Sequence, residues 1–158
     1  MSGTAGARNA ITAPGVEGGS WTRAFAAQEE DGFAEAFAEA FAADVLLEAS
    51  VLRRPVRGRE KVALVMATAS KVYESLVFTH ETRDGDRTYL EWEATAFGGT
   101  ELLGSTILVR DGAGRITRAV IQHRPLTGLL TFSAELGRLL KGRIEDGVFH
   151  QPVPDAGR

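Results

Sequence analysis

The sequence contains no cysteine, which excludes disulfide bonds, thiolate nucleophiles and cysteine-ligated metal sites. It also lacks an excess of basic residues: 18 Lys and Arg stand against 21 Asp and Glu, so the net charge is −3 and gives no electrostatic footprint for nucleic acid. No apolar run is long enough to span a bilayer, and no charged segment followed by an apolar block marks a secretion signal. The sequence therefore predicts a cytoplasmic protein that binds neither nucleic acid nor membrane.

Histidine is scarce as well. The three histidines, at positions 80, 123 and 150, lack the short spacing of a closed metal site. Phosphate loops and nucleotide fingerprints are missing too, because the glycines fall between strands rather than between a strand and a helix. The sequence also shows no Ser-His-Asp pattern. We expect no metal and no cofactor.

The pattern of apolar residues predicts one α+β domain. Residues 1–19, rich in small residues, are predicted to form a flexible tail, residues 20–142 the domain, and residues 143–158 a loose tail. A phenylalanine ridge at Phe33, Phe37 and Phe41 predicts a helix packed on the core. Helices come first and antiparallel strands afterwards, which is an α+β order. The remaining predicted elements are a helix from Ser20, a strand at 45–51, a helix at 59–74, strands at 76–83, 88–97, 102–109 and 115–124, and a closing helix at 127–140.

The turns between the last four strands predict which side chains share a face. Two-residue loops at Asp84-Gly85 and Gly98-Gly99, and a four-residue loop over 111–114, fix the pairing. One face then carries Phe78, His80, Tyr89, Glu91, Glu93, Leu102, Gly104, Thr106, Ala119, Ile121 and His123. The other carries Leu90, Trp92, Ala94, Leu103, Ser105, Ile107, Val109, Ile116, Val120 and Gln122. Composition favours the second face as the core, and a bulge at either turn would exchange some assignments.

Four short segments resemble the nuclear transport factor 2-like superfamily. They are Phe41-Ala42-Ala43-Asp44, Glu48, Val56-Arg57-Gly58-Arg59-Glu60 and Asp111-Gly112-Ala113-Gly114-Arg115-Ile116. Within it the chain looks closest to the SnoaL-like group of polyketide cyclases, with ketosteroid isomerase a more distant relative. The resemblance implies a curved, mostly antiparallel β-sheet wrapped around N-terminal helices, of the cystatin-like type, with a cone-shaped pocket for an apolar ligand and a dimer through the outer sheet face. It also implies that the face with Thr106 and His123 points inward.

The resemblance predicts the fold of this chain, but the catalytic residues of the family are not present at the corresponding positions. A ketosteroid isomerase would place its tyrosine acid at Phe25, its carboxylate base at Ala49 and its second Asp at Thr106, and a SnoaL-type cyclase would place its Asp base near Ile121. None of these side chains is an acid or base near neutral pH. Glu48 neighbours the base position but lies on the opposite face of its strand, so we expect a salt bridge from it.

The candidate catalytic residues are therefore Glu91, Glu93 and His123. In an apolar hollow, desolvation and mutual repulsion would raise the pKa of one glutamate, which suits a general base, and the imidazole would act as acid or oxyanion partner. A solvated strand face and a histidine that caps the strand end are the structural alternatives. The substrate-binding candidates are Phe25, Phe78, His80, Tyr89, Leu102, Thr106, Ala119 and Ile121.

These candidates lead to three functional hypotheses. The first is a cofactor-free isomerase or cyclase that transfers protons on a small hydrophobic, carbonyl-bearing molecule. The second is a ligand-binding or dimerisation module without catalysis, and the third is epoxide hydrolase-like addition of water. The expected partners are a small hydrophobic molecule and a second copy of the chain.

Overall fold

A computed structural model describes residues 10–26 and 30–153 and shows an α+β fold, as predicted. Its sheet is mixed, and the strand order is β1-β4-β5-β6-β7-β2-β3. Strand β1 is parallel to β4 and β2 is parallel to β7, whereas the other neighbouring strands are antiparallel. The elements are β1 Ala10–Thr12, α1 Ser20–Ala26, α2 Glu30–Ala40, β2 Phe41–Ala49, β3 Val56–Arg57, α3 Arg59–Val72, β4 Ser75–Asp84, β5 Arg87–Ala96, β6 Thr100–Arg110, β7 Ile116–Arg124 and α4 Leu126–Leu139. None of these helices is long and apolar enough to cross a membrane.

Local sequence signals explain where several elements begin and end. Gly58, with φ of 103°, turns the chain into α3, a backbone conformation that other residues rarely adopt. Pro125 follows the last residue of β7, because proline has no N–H to continue a strand ladder. The phenylalanine ridge behaves differently from its prediction: α2 ends at Ala40, and Phe41 is the first residue of β2. Phe37 and Phe41 still stack at 6.1 Å between centroids, whereas the side chain of Phe33 lies outside the described part.

The core lies between the helices and one face of the sheet, which we call the inner face. Large aromatic side chains fill it, and each contributes about 1.5–3 kcal/mol through burial of apolar surface. Phe25 of α1 meets Phe37 of α2 edge-on at 5.0 Å and Phe78 of β4 at 5.7 Å. Trp21 and Phe132 are also buried. The helices are therefore joined to the sheet through a continuous aromatic cluster.

Both predicted tails are partly folded. Within the described part of the N-terminal segment, β1 pairs with β4, and Glu81 accepts a hydrogen bond from the Gly18 amide at 3.0 Å. At the other end, Val148 and Phe149 are buried in the core, and the His150 amide donates to the Ser133 hydroxyl at 2.8 Å. Long-range pairing and burial thus hold segments whose local composition indicates flexibility. The predicted tail residues 1–9 and 154–158 lie outside the described part.

The strand registers differ from the predicted ones in a way that matters for function. The loop between β5 and β6 has three residues, Phe97, Gly98 and Gly99, all with positive φ, so Ala96 rather than Phe97 pairs with Thr100. A shift of one residue turns every side chain of β5 to the opposite face. Between β6 and β7 the shift is two residues, which keeps the faces. The observed pairs there include Thr106 with Ile121 and Gly104 with His123.

The hairpin between β4 and β5 is also shifted. Its turn residues are Gly85 and Asp86, so Asp84 pairs with Arg87, one residue later than predicted. A further irregularity between Phe78 and His80 moves the register again. Bulges of this kind are common where a sheet bends, and alternation of apolar residues alone does not locate them.

Candidate functional site

Seven of the predicted site residues are buried between the inner face of the sheet and the helices, and the other four are exposed on the outer face of the sheet. Those buried inside are Phe25, Phe78, Leu102, Thr106, Ala119, Ile121 and His123. Those exposed outside are His80, Tyr89, Glu91 and Glu93. The predicted inward placement of these four is wrong, because the three-residue loop and the irregularity in β4 change the register. Trp92 and Leu90, predicted on the outer face of β5, are buried inside instead.

The exposed glutamates do not form a catalytic pair in the interior. Glu91 contacts His80 at 3.2 Å on the surface, and their side chains are 68% and 73% exposed. Glu93 is exposed on the same outer side of β5. Surface ion pairs of this kind contribute little to stability. The salt bridge expected from Glu48 is present, with Arg118 at 2.6 Å.

The interior instead contains a hydrogen-bonded pair that is not among the predicted site residues as a pair. Tyr73 follows the last residue of α3, and its hydroxyl lies 2.8 Å from Nε2 of His123, with the two rings stacked at 6.2 Å. Phe132 of α4 covers both rings at 4.9 Å between centroids. The His123 amide donates to the Ser50 hydroxyl, which fixes the end of β7. The apolar period of α3 ends on Tyr73, and this is the signal that places its side chain inward.

Burial keeps this pair uncharged. Removal from water lowers the pKa of His123 to about 4 and raises the pKa of Tyr73 above its ordinary value. The imidazole and the phenol are thus both neutral at pH 7. Nδ1 of His123 is buried and has no hydrogen-bond partner among the described residues. Buried polar atoms without partners are rare, and each needs an explanation.

A second polar pair lies beside the first. Nε1 of Trp92 donates to the Thr106 hydroxyl at 3.0 Å across β5 and β6, and the Trp92 ring meets His123 edge-on at 4.9 Å. Gly104 makes this possible, because a β-carbon at that position would overlap the indole ring. The absence of a side chain in mid-strand therefore marks a close approach by the tryptophan.

A small cavity lies between α1, Tyr73 and the Trp92–Thr106 pair. Its volume is about 10 Å³, which is room for about one water molecule. The lining is apolar apart from a phenol, a hydroxyl and two indole N–H groups, and His123 is not part of it. It consists of Trp21, Phe25, Met66, Tyr73, Leu76, Phe78, Trp92, Thr106 and Ile121. Larger hollows of about 280 and 560 Å³ are surface grooves beside α4. Within the described ranges, no three acidic or histidine side chains gather in a way that could hold a metal ion.

Comparison with known proteins confirms the fold at the level of the superfamily. A steroid delta-isomerase from Pseudomonas aeruginosa shares 25% identity, with a TM-score of 0.66 over 76% of this chain and 85% of that one. A conserved bacterial protein with a cystatin-like fold from Silicibacter pomeroyi matches with a TM-score of 0.67 at 17% identity, over 72% of this chain and 80% of the other. A SnoaL-like family protein from Agrobacterium tumefaciens matches at 0.56 and 15% identity, over 67% and 92% of the two chains. No family model and no curated protein matches the sequence.

Proposed function

We propose that this protein, which has the SnoaL-like fold of the nuclear transport factor 2-like superfamily, binds a small and largely apolar molecule that carries a carbonyl or hydroxyl oxygen. The ligand would lie between α1 and the inner face of the sheet. The observation that carries the proposal is the presence of two neutral, hydrogen-bonding pairs, Tyr73–His123 and Trp92–Thr106, in an otherwise apolar interior. Apolar sites with a few convergent polar groups are typical of small-molecule binding.

Entry of the ligand requires the interior to widen. The cavity of about 10 Å³ is much smaller than an ordinary ligand site, which occupies about 300–1,000 Å³. Trp21 and Phe25 line the cavity and both belong to α1, a helix of seven residues. A movement of α1 would therefore withdraw two aromatic side chains together. In this proposal the empty protein is closed, and the ligand stabilises an open form.

Thermal unfolding with and without a ketone tests the proposal. We expect 2-decalone, a bicyclic apolar ketone, to raise the melting temperature of the wild type, because a ligand that binds only the folded state stabilises it. Tyr73→Phe should reduce this rise. Tyr89→Phe is the matched control, since it removes the same atom from the only other tyrosine, which is exposed on the outer face. An unchanged melting temperature in the wild type, or equal effects in both variants, would contradict the proposal.

A second candidate function is proton transfer without a cofactor. It is favoured by the direct contact between Tyr73 and His123 at 2.8 Å and by the structural match to a protein described as a steroid delta-isomerase. In such a reaction the His123 imidazole would take a proton from the carbon next to a carbonyl and return it to another carbon. The Tyr73 hydroxyl would donate a hydrogen bond to the enolate oxygen. Glu91 and Glu93, which lie outside, have no part in this version.

The two candidates differ in what they require of His123. A pKa of about 4 makes the imidazole a weak base at neutral pH, whereas proton transfer is most efficient when the pKa is close to the working pH. The closed form thus favours binding over catalysis. With a substrate in hand, His123→Ala and Tyr73→Phe should each lower kcat by at least about 100-fold if the protein is an enzyme. Unaltered turnover in both variants would remove this candidate.

The outer face of the sheet supports a further part of the proposal, a dimer of two identical chains. Ile107 of β6 pairs with Tyr89 of β5 on one side and with Val120 of β7 on the other, and together they form an apolar stripe on the outside. Leu103 is 37% exposed beside it. Apolar side chains grouped on one exposed face are typical of interaction surfaces.

A further inference from the structure

Trp21 has a feature that packing alone does not explain. Its side chain is only 2% exposed, and its Nε1 atom has no hydrogen-bond partner in the described part of the chain. An indole N–H is a donor and cannot accept, so burying it without an acceptor from the protein costs free energy. Phenylalanine would fill most of the same space without this cost.

The second tryptophan provides an internal comparison. Trp92 is buried to the same extent, and its Nε1 donates to the Thr106 hydroxyl at 3.0 Å. The fold therefore provides an acceptor for one buried indole and leaves the other without one. Since both residues line the same cavity, a molecule bound there would lie beside the Trp21 ring and would be a source for the missing acceptor.

A chain of aromatic contacts connects Trp21 to the Tyr73–His123 pair. The Trp21 ring contacts Phe25 at 5.5 Å, Phe25 approaches Tyr73 at 6.4 Å, and Tyr73 stacks on His123 at 6.2 Å. Two rings thus separate the indole from the imidazole. A ligand in the cavity would contact Trp21 of α1 and Tyr73, with the His123 ring stacked on Tyr73.

We propose that the Trp21 indole N–H is a specificity-determining group that binds an acceptor oxygen of the ligand, at the end next to α1. The proposal rests on the proposed binding function and narrows it. The ligand must carry a carbonyl, ether or hydroxyl oxygen on the side that faces α1, and a pure hydrocarbon of the same shape binds more weakly. Because Trp21 belongs to α1, the same hydrogen bond also fixes the position of this helix over the bound molecule.

The test compares two probes of nearly the same shape, cyclohexanone and methylenecyclohexane, which differ by an oxygen in place of a CH₂ group. The chain has two tryptophans, so nuclear magnetic resonance of the ¹⁵N-labelled protein shows two indole N–H signals, which sequential resonance assignment of the wild type distinguishes. We expect cyclohexanone to shift the Trp21 signal downfield. The Trp92 signal is the internal control, because its N–H already has an acceptor.

Trp21→Phe should weaken binding of cyclohexanone by about three- to tenfold, which is the range for one neutral hydrogen bond, and should leave binding of methylenecyclohexane nearly unchanged. If both probes bind equally and the Trp21 signal stays in place, the inference is wrong while the binding function stands. If neither probe binds the wild type, both are wrong. Should the variant fail to fold, the signals of the wild type alone still decide between these outcomes.

Discussion

Protonation of His123 should make the protein unstable in mild acid. Burial lowers the pKa of this imidazole from 6.5 to about 4 in the folded state, whereas the unfolded chain keeps the ordinary value. Between these two pH values the unfolded state binds more protons, so the free energy of unfolding falls as the pH falls. The slope is about 1.4 kcal/mol per pH unit, and the whole window is worth about 3 kcal/mol. Above about pH 6.5 the neutral imidazole contributes its full stabilisation to the folded state, and below about pH 4 this stabilisation is entirely lost.

The surroundings of His123 support the full loss of stability on protonation. The groups packed against the His123 ring are Tyr73, Trp92 and Phe132, and none of them supplies a negative charge at pH 4–7 that would stabilise an imidazolium. The raised pKa of Tyr73 keeps its phenol neutral throughout this range.

Urea unfolding followed by tryptophan fluorescence at about pH 7.5, 6.5, 5.5 and 4.5 measures the effect. Other groups also titrate, so the comparison is with His123→Gln, whose amide oxygen accepts from the Tyr73 hydroxyl but does not titrate. The variant should lose about 3 kcal/mol less than the wild type across the window. His80→Gln, at an exposed histidine, is the control and should follow the wild type. Parallel curves for the wild type and His123→Gln would refute the reasoning.

Three further predictions follow from packing. Gly104→Ala should lower the free energy of unfolding by about 1–3 kcal/mol, because its β-carbon overlaps an indole ring, while Gly112→Ala, in open space, should be nearly neutral; equal urea midpoints would contradict this. Phe132→Ala should cost about 3–5 kcal/mol in urea unfolding and admit water to the buried pair, so that the pKa of His123, measured by nuclear magnetic resonance, rises towards 6.5; an unchanged pKa would show that this ring does not seal the site. Leu103→Glu should convert the proposed dimer to a monomer in analytical ultracentrifugation, and a wild type that is itself monomeric would exclude the dimer.

The sequence predicts the elements well because their signals are local. The strand predicted at 102–109 is observed as Thr100–Arg110, and the helix predicted at 59–74 as Arg59–Val72. Hydrophobic periodicity and turn residues act within a few positions of the chain, so they survive in any tertiary context. The pairing of Ala10–Thr12 with β4 and the burial of Phe149 depend on contacts with distant segments, and local composition does not indicate them.

The site was harder to predict because it depends on single-residue details of the turns. Phe97 adopts φ of 55°, which is unusual for a bulky residue, and so extends the Gly98-Gly99 loop by one position. Turn preferences alone favour a two-residue loop at consecutive glycines. That one position exchanges Glu91 for Trp92 on the inner face. The prediction of His123 as an inward residue was unaffected, because the error between β6 and β7 is an even number of residues.

This exchange changes the kind of ligand that the interior can select. A cavity with two glutamates would select by charge and proton affinity, whereas the side chains that line the observed cavity are all uncharged at neutral pH. Burial of a carboxylate or ammonium group there would cost more than its hydrogen bonds return. A site built from neutral donors discriminates instead against molecules that leave those donors unpaired, which is a stronger selection than pocket size alone provides. Neutral, apolar molecules with one or two oxygen atoms are therefore the ligands for which Tyr73 and Trp21 are suited, and acids of the same shape should be rejected.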